Sequence, residues 1–394
     1  MQALPTMPAA TDGQAGWLQR LRLRWAAWRD QRVANPEFRR WAADFPLTRP
    51  LVRRSARQLF DLVAGFTYSQ VLLACVRLHL FDRLARGPLS ADALAPTLQL
   101  APDACLRLLD AGVALRLFSR SGHGVQARYG LGPLGAPMVN NPALAAMVEH
   151  HALLYADLAD PLAMLRAPKG QTQLGRCFAY ARSDTPQALD SREVAEYSAV
   201  MAASQPLVTE EILGAYNIGR HTRLLDIGGG EGVFASAAAQ RWPQLQVMVF
   251  DLPEVARLAH ARFERLGLSG RATAHGGDFA RAQLPGGADI ISLVRVVHDH
   301  DDDKVLALLR AARQALPDHG VLLVAEMMAD TAGAEAMGDA YFGMYLWAMG
   351  SGRPRRVQDI SALLQAAGFQ APRRMRNATP LQTQVLIARV GRQG

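Results

Sequence analysis

The chain has 394 residues, half of them hydrophobic, so it is long enough for two domains with cores of their own. Its three cysteines, Cys75, Cys105 and Cys177, are widely spaced, which argues against a disulfide framework or a zinc site and indicates a reducing compartment. The formal net charge is +8, and most of the excess lies near the N-terminus.

Targeting and membrane-spanning segments are not expected. Residues 1–16 lack a charged region followed by an apolar run, so they do not resemble a signal peptide. We also expect no apolar stretch to reach the length that crosses a bilayer. These features predict a soluble or peripheral protein.

The segment 17–58 carries eleven arginines against three acidic residues, a balance that equals the whole formal charge excess. Within it, tryptophans and leucines recur at helical spacing among arginines, which predicts a basic amphipathic helix. The apolar positions are Trp17, Leu18, Leu21, Trp25 and Trp28. Such helices bind anionic membrane surfaces, and the alternative is a helix packed on its own domain or on a dimer partner.

Residues 59–140 predict a compact unit of helices and a small β-wing. The helices are expected over 70–84, 91–98 and 103–117, with short strands at 117–119 and 128–131. A winged helix can bind DNA through its recognition helix, but here that helix balances two arginines with two aspartates. A DNA-reading helix needs a basic face, so we expect a dimerisation domain and no nucleic-acid partner.

Residues 141–220 are expected to be helical and to connect the two domains. They are rich in histidine and tyrosine, including His150, His151, Tyr155 and Tyr197, and such a layer could cover a pocket. Each of these histidines is expected to be an ordinary buried or surface side chain and not a metal ligand.

A strand, a glycine-rich turn and a helix follow one another over 223–242, the arrangement that forms ligand sites at the carboxyl end of α/β sheets. A dinucleotide motif would place its third glycine at Val233, so the spacing favours S-adenosylmethionine (SAM) instead. The alternative is a structural turn without a ligand. The residues of the motif are Asp226, Gly228, Gly230 and Gly232.

Two further strand ends supply acidic side chains near this turn. The strand 246–250 is followed by Asp251, which is placed to accept hydrogen bonds from a ribose diol, and then by Leu252. The alternative for Asp251 is an ordinary helix N-cap. After the third strand, Asp278 can offer its carboxylate to an adenine amino group and Phe279 a ring edge, unless the turn is a plain β-turn.

His298 lies just past the fourth strand, on the same edge of the sheet as the glycine turn. A neutral imidazole there can take the proton of a hydroxyl whose oxygen attacks a methyl group, so we predict a general base. Asp299 adjoins it and Glu326 ends the next strand, and a carboxylate can fix the ring tautomer. The acidic run 299–303 resembles a metal cluster, but acids also favour a helix start, so no metal is expected.

From Gly65 to Val390 the chain resembles the plant-type and acetylserotonin-type class I O-methyltransferases. The resemblance is carried by residues 226–232, 250–253, 277–279 and 295–299. It implies an α/β fold: a Rossmann-like domain with a seven-stranded, mostly parallel sheet, and a homodimer formed through a helical, winged-helix domain. Along the chain we expect a basic extension (1–58), the dimerisation domain (59–140), a helical connector (141–220) and the SAM-binding domain (221–394).

The resemblance also implies roles for individual residues. His298 would be the base for methyl transfer from SAM to a hydroxyl, with Glu326 and Asp299 beside it, and S-adenosylhomocysteine would be the product. SAM would be held by Asp226, Gly228, Gly230, Asp251, Leu252, Asp278, Phe279 and Arg295. The substrate pocket would include Tyr155, Tyr197 and Met201. In many members a second glutamate stands where this chain has Pro354.

A more specific resemblance lies in residues 38–50, 65–71 and 352–354, which are similar to the hydroxycarotenoid O-methyltransferases of purple bacteria. It implies a lipophilic substrate, with methylation of the tertiary 1-hydroxyl of acyclic carotenoids. It also implies a cytoplasmic enzyme in peripheral contact with the anionic inner, photosynthetic membrane. The alternatives are methylation of a phenol or polyketide hydroxyl, a SAM-responsive winged-helix regulator, and a non-catalytic dimeric scaffold.

Overall fold

The computed structural model describes residues 17–178, 201–279, 281–379 and 383–391. The chain divides into two compact units, Met1–Ala74 and Cys75–Gly394. The described helices of the first unit are α1 (Trp17–Ala34), α2 (Pro36–Asp44) and α3 (Arg49–Arg77), the last of which runs on into the second unit.

The helix α1 forms where the tryptophan spacing predicts it, but its charges are distributed differently. At 3.6 residues per turn, Arg24 and Arg32 fall in the same sector as the tryptophans. The Arg29 guanidinium lies 5.7 Å from the centre of the Trp25 ring, and Arg32 lies 5.4 Å from Trp28. Arginines therefore interrupt the apolar sector, and the helix is not amphipathic.

The helix α3 is longer than the sequence indicates. A helix was expected over 70–84, whereas α3 begins at Arg49 and ends at Arg77, and His79 with a φ of 52° separates it from α4 (Leu80–Leu84). By length and composition α3 could cross a membrane, with 17% of its apolar window buried, which corrects the expectation that no stretch reaches that length. Its exposed apolar side chains include Leu59, Phe60, Leu62, Val63 and Phe66.

The second unit continues with helices α5 (Ala91–Leu98) and α6 (Pro102–Ala114) and a hairpin of β1 (Phe118–Ser121) with β2 (Arg128–Leu131). Ser90 caps α5 by accepting from the N–H of Ala93, as the sequence indicates. The helix α6 ends three residues before its predicted end, because Arg116 takes a left-handed φ of 61°. The connecting helices are α7 (Pro142–His150), α8 (Ala152–Asp157), α9 (Pro161–Arg166), α10 (Gln173–Cys177) and α11 (Pro206–Ala215).

A seven-stranded sheet forms the centre of the second unit, as predicted. Its strands are β3 (Arg223–Ile227), β4 (Gln246–Asp251), β5 (Ala272–Gly276), β6 (Ile290–Val294), β7 (Val321–Glu326), β8 (Phe369–Arg374) and β9 (Gln384–Val390). The spatial order is β5-β4-β3-β6-β7-β9-β8, parallel from β5 to β7, with β9 antiparallel to both neighbours. The order reverses between β3 and β6, so their carboxyl ends border the crevice where α/β sheets bind ligands.

Helices cover both faces of this sheet. Successive residues of a strand point to opposite faces, so Leu224 and Leu225 of β3 belong to different core clusters. A π-helical turn, Ala336–Tyr341, leads directly into the helix 342–349. The helices of this part are α12 (Val233–Arg241), α13 (Pro253–Arg265), α14 (Asp302–Ala315), α15 (Phe342–Met349) and α16 (Val357–Ala366).

Candidate active site

The glycine turn after β3 has an exposed backbone surface that a ligand can approach closely. Gly228, Gly230 and Gly232 have φ values of 66°, 57° and 74°, in the left-handed region that favours glycine. A Cβ at Gly228 would lie 2.7 Å from Val296, whereas a Cβ at Gly230 would meet no atom within 4 Å. The open side at Gly230 therefore fits a ligand lying against the turn, and the N-terminus of α12 follows it.

Asp226 supports this turn from within the sheet. Its side chain is 1% exposed and accepts a hydrogen bond of 2.6 Å from the Ser292 hydroxyl on β6. A Cβ at Gly229 would come within 2.6 Å of its carboxylate. Burial, partly offset by the Ser292 hydroxyl, raises the pKa of Asp226 to about 7. The carboxylate thus holds strands and turn together and is enclosed within the sheet.

Asp251 links the end of β4 to the glycine turn. Its carboxylate accepts from the backbone N–H groups of Gly230 and Leu252, each at 2.7 Å. The N-cap of α13 is Leu252 itself, so Asp251 is not an ordinary N-cap. Burial raises the pKa of Asp251 to about 6, against the lowering effect of the two N–H groups.

The Asp278 and Phe279 pair follows β5, one strand further along the same edge. Asp278 is buried, and the Phe279 ring meets the ring of His300 edge-on with centroids 5.2 Å apart. His300 is also buried and was not among the site residues predicted from the sequence. The available signal was its position two residues after His298. This contact joins the segment after β5 to the segment after β6.

His298 lies in a short 3₁₀ turn, Val297–Asp299, with carboxylates at both ring nitrogens. Asp299 Oδ1 is 3.2 Å from Nε2. Glu326 makes an ion-pair contact with Nδ1, without the alignment of a hydrogen bond. Two carboxylates therefore flank the imidazole without a contribution from position 354, which is a proline.

The charge state of His298 differs from the neutral imidazole expected from the sequence. Burial disfavours the imidazolium, but the carboxylates of Glu326 and Asp299 outweigh burial and raise the pKa of His298 to about 10. The expectation failed because the sequence could not show that both carboxylates converge on one ring. With this pKa the neutral form, which alone can accept a proton, is the minor form at neutral pH and increases as the pH rises through about 10.

Glu326 has a second set of partners that the sequence did not indicate. Its carboxylate accepts from the backbone N–H groups of Val296 at 3.1 Å, Val297 at 2.7 Å and His298 at 3.1 Å. These groups are the free donors at the start of the turn. Glu326 therefore holds the backbone of the turn as well as contacting its imidazole.

Arg295 connects this edge of the sheet to the helical layer above it. Its φ is 60°, a strained value for a residue other than glycine, and such residues cluster at functional sites. Its guanidinium donates to the Ser204 hydroxyl at 2.9 Å and to the Met201 sulfur at 3.3 Å. Met201 is thereby brought to the site, whereas Tyr197 lies outside the described residues.

An aromatic wall beside the base consists of His150, His151, Tyr341, Phe342 and Tyr345. The Phe342 ring lies 5.8 Å from that of His298 and 5.0 Å from that of Tyr341. Tyr341 and Phe342 are placed by the π-helical turn, a feature common at functional sites. The sequence signal for these residues is the run of aromatic side chains over 341–345, which was not among the predicted site residues. Tyr155, on α8, is close enough to Tyr341 to help raise its pKa, after the larger effect of burial.

The histidines of this wall are paired with its tyrosines. His150 Nε2 is 2.5 Å from the Tyr345 hydroxyl, and His151 Nε2 is 2.5 Å from the Tyr341 hydroxyl. Because His151 Nδ1 donates to the Met147 carbonyl, a neutral His151 must accept a hydrogen bond from the Tyr341 hydroxyl at Nε2. Burial lowers the pKa of both histidines, that of His150 to about 4, so both are neutral at pH 7.

In the described part of the chain, no group of three or more His, Cys, Asp or Glu side chains could hold a metal ion.

Comparison with protein families gives two matches along the chain. The O-methyltransferase domain matches residues 155–370, and the O-methyltransferase dimerisation domain matches residues 60–141. The first match covers more than half of the chain and contains the glycine turn and the His298 turn. The second supports a homodimer.

Individual relatives agree with these matches. The chain is 42% identical to demethylspheroidene O-methyltransferase of Cereibacter sphaeroides over 86% of this chain and 88% of that one. It is 37% identical to the protein of the same name from Rhodobacter capsulatus, over 88% and 85%. The structure of human N-acetylserotonin methyltransferase in complex with SAM superimposes with a TM-score of 0.72, at 25% identity, over 86% and 98%. The chain belongs to the family of SAM-dependent O-methyltransferases that act on small molecules and carry an N-terminal dimerisation domain.

Proposed function

We propose that the protein methylates the tertiary 1-hydroxyl of an acyclic carotenoid. The observation that carries this proposal is the 42% identity to a demethylspheroidene O-methyltransferase over 86% of the chain. The aromatic wall beside His298 suits a lipophilic acceptor. Methylation of a phenol or polyketide hydroxyl is the competing proposal.

SAM is proposed to lie along the carboxyl ends of β3, β4 and β5. The open side of Gly230 would receive it against the backbone, and Asp251 would accept hydrogen bonds from its ribose hydroxyls. Asp278 and Phe279 would contact the adenine, and Gly228, Leu252 and Arg295 would complete the site. Asp226 would act indirectly by holding the turn.

His298 is proposed to accept the proton of the acceptor hydroxyl. SAM, when bound, would supply a methyl group on its sulfonium and would leave as S-adenosylhomocysteine when the carbon–sulfur bond breaks. The alcohol oxygen would take the methyl group while its own proton passes to His298. His298 faces Asp299 and Glu326, whose charges strengthen the imidazole as a proton acceptor. Holding oxygen and methyl in line supplies much of the acceleration, and proton transfer adds to it.

The aromatic wall suits a hydrocarbon acceptor because its polar atoms are paired within the protein. The Tyr341 hydroxyl donates a hydrogen bond to His151 Nε2, and the His150 and Tyr345 side chains are also hydrogen-bonded to each other. Burying an apolar chain next to polar residues is costly mainly because polar groups lose their hydrogen-bond partners. Against this wall few polar groups would be left without a partner. Tyr155 and Met201 are proposed to extend the wall.

The test is transfer of labelled methyl from SAM to defined acceptors by the purified protein. An acyclic carotenoid with a tertiary 1-hydroxyl, dispersed in detergent, is expected to give a labelled methyl ether. The same carotenoid without the hydroxyl is the matched control and should give none. Methylation of a simple phenol or polyketide hydroxyl, with none of the carotenoid, would contradict the proposal.

We also propose a cytoplasmic location with peripheral contact at an anionic inner membrane. The support is α1, where exposed tryptophans and arginines are interleaved, a composition that suits the headgroup region of anionic lipid. A variant with Trp17, Trp25 and Trp28 changed to Ala should sediment less with phosphatidylglycerol vesicles. Equal sedimentation of the variant and the native protein would contradict this contact.

A further inference from the structure

The turn that carries His298 is bound along its carbonyl side by one segment, residues 351–355. The Ser351 hydroxyl donates to the Asp299 carbonyl, and the Arg353 N–H donates to the His298 carbonyl at 3.1 Å. Arg355 donates to the Val297 carbonyl at 2.7 Å and to the His300 carbonyl at 2.7 Å. All the carbonyls from Val297 to His300 are thus occupied by this segment.

Arg355 is the centre of this arrangement. Its side chain is 1% exposed, and it also contacts Asp302 Oδ1 through Nε at 2.9 Å and Nη2 at 2.6 Å. Burying a guanidinium is costly unless its donors are satisfied, and here its carboxylate and carbonyl partners satisfy them. The planar guanidinium reaches one carbonyl on each side of His298, which a single ammonium group cannot do.

The approach of the segment to the turn depends on glycine. Gly352 has a φ of 74°, and a Cβ there would lie 1.9 Å from the His298 carbonyl oxygen. Its N–H donates to Asp301 Oδ1 at 3.1 Å. No larger residue at position 352 fits between the segment 351–355 and the His298 turn without displacing the turn.

The opposite side of the same turn is held by Glu326, which binds the N–H groups of residues 296–298. The backbone under His298 is therefore fixed on both its donor and its acceptor sides. The direction of the Cα–Cβ bond, and with it the position of the imidazole between Asp299 and Glu326, follows from this backbone.

We propose that Arg355, with Ser351 and Gly352, is the positioning device of the base: it sets where the His298 imidazole stands relative to its two carboxylates and to the acceptor hydroxyl. This inference rests on the proposed role of His298. Residues 351–355 thereby act on the base through the backbone of the His298 turn and not through a carboxylate, since position 354 is a proline.

The experiment compares Arg355→Lys with Arg356→Lys. The control residue lies next in the chain, is 57% exposed and pairs with Asp359, not with the turn. Arg355→Lys keeps a positive charge near Asp302 but loses the bridge between the two carbonyls. We expect kcat to fall roughly 10–100-fold with the Kd for SAM within about twofold, since displacement of a reacting group by about 1 Å has effects of this size. Arg356→Lys should match the native protein.

A second readout needs no acceptor. In NMR of histidine-labelled protein, with the His298 signal identified from its loss in His298→Gln, Arg355→Lys should shift the His298 titration to lower pH. The loosened turn would let the ring move away from its carboxylates, whereas a purely structural role would leave the titration in place. A folded Arg355→Lys protein with native kcat and native titration would overturn the proposal.

Ser351→Ala covers the case in which Arg355→Lys does not fold. It removes one donor to the Asp299 carbonyl, and we expect a loss on the order of 3–10-fold in kcat with the same direction of titration shift. A folded Ser351→Ala protein with both quantities unchanged would then overturn the positioning role. Absence of methylated product from the native protein would instead contradict the proposed function, while the titration comparison would still decide the positioning role.

Discussion

Asp251 is the residue whose protonation should control SAM binding. Asp251→Ala removes the acceptors proposed for the ribose hydroxyls, so calorimetry should show affinity weakened by about 1–3 kcal/mol. Burial raises the pKa of Asp251 to about 6, so its carboxylate is lost as the pH falls through that value. Native affinity should therefore be lower at pH 5 than at pH 7.5.

The control is Glu254→Ala, which removes a carboxylate from the first turn of the next helix, where it pairs with Arg257. It should bind SAM like the native protein at both pH values. Equal affinities in Asp251→Ala and the native protein would remove Asp251 from the SAM site.

His298 should give the pH dependence of turnover. Only the neutral imidazole can accept a proton, and the carboxylates of Glu326 and Asp299 more than offset burial and raise the pKa of His298 to about 10. Below that value kcat should rise with pH, by about tenfold per unit where this group alone limits the rate. Asp299→Asn removes one carboxylate charge and should move the rise to lower pH.

His298→Ala tests whether this residue causes the dependence of kcat on pH. It should lose roughly 10²–10⁴-fold in kcat, still bind SAM, and lose the rise with pH. A folded His298→Ala protein that keeps the native profile would show that positioning of the two substrates alone is the mechanism.

At the scale of elements, alanine substitutions in the glycine turn should have two different effects: weaker SAM binding at Gly230 and lower stability at Gly228. Gly230→Ala meets no protein atom, so it should cost only the roughly 1–2 kcal/mol of a left-handed alanine and mainly weaken SAM binding. Gly228→Ala would collide with Val296 at 2.7 Å and should lower the melting temperature more. Thermal unfolding and SAM titration of both variants test this order, and an equal loss of stability in both would contradict it.

The aromatic wall allows a test by paired substitution. Tyr341→Phe leaves His151 Nε2 without its donor beside an apolar acceptor. The cost of about 1–3 kcal/mol for an unpaired buried group should raise the KM for the carotenoid by roughly 5- to 150-fold. The double variant with His151→Phe removes both polar partners and should recover much of that loss. A double variant as impaired as the sum of its single changes would show that the pair itself contacts the acceptor.

At the scale of the whole molecule, the exposed stripe of α3 should decide the assembly. Leu59, Leu62, Val63 and Phe66 have the i, i+3, i+4, i+7 spacing of one helix face, and most lie within the dimerisation domain, residues 60–141. Leu62→Glu with Phe66→Glu should yield monomers in sedimentation equilibrium, whereas Gln58→Glu on the same helix should not. If the variant stays dimeric but no longer binds anionic vesicles, the stripe contacts lipid and does not form the dimer interface.

Much of the fold and part of the site could be predicted because their signals are local. The glycine turn, the alternating strands and helices, and the acids at strand ends can be read from neighbouring residues. A parallel sheet then brings Gly230, Asp251 and His298 to one edge without any knowledge of packing. The length of α3 was missed because its N-terminal half resembles a charged, exposed segment more than a continuous helix.

What the sequence determined by itself is therefore the edge where the site lies, the cofactor it binds and the residue proposed as base. Only the tertiary structure decided how that base is held and charged. The Arg355 contacts to the turn span up to 58 positions, and Glu326 reaches it from 28 to 30 positions away. Contacts between residues so far apart in sequence depend on the packing of whole elements. The burial and the charges around His298 follow from those contacts, and so does its pKa.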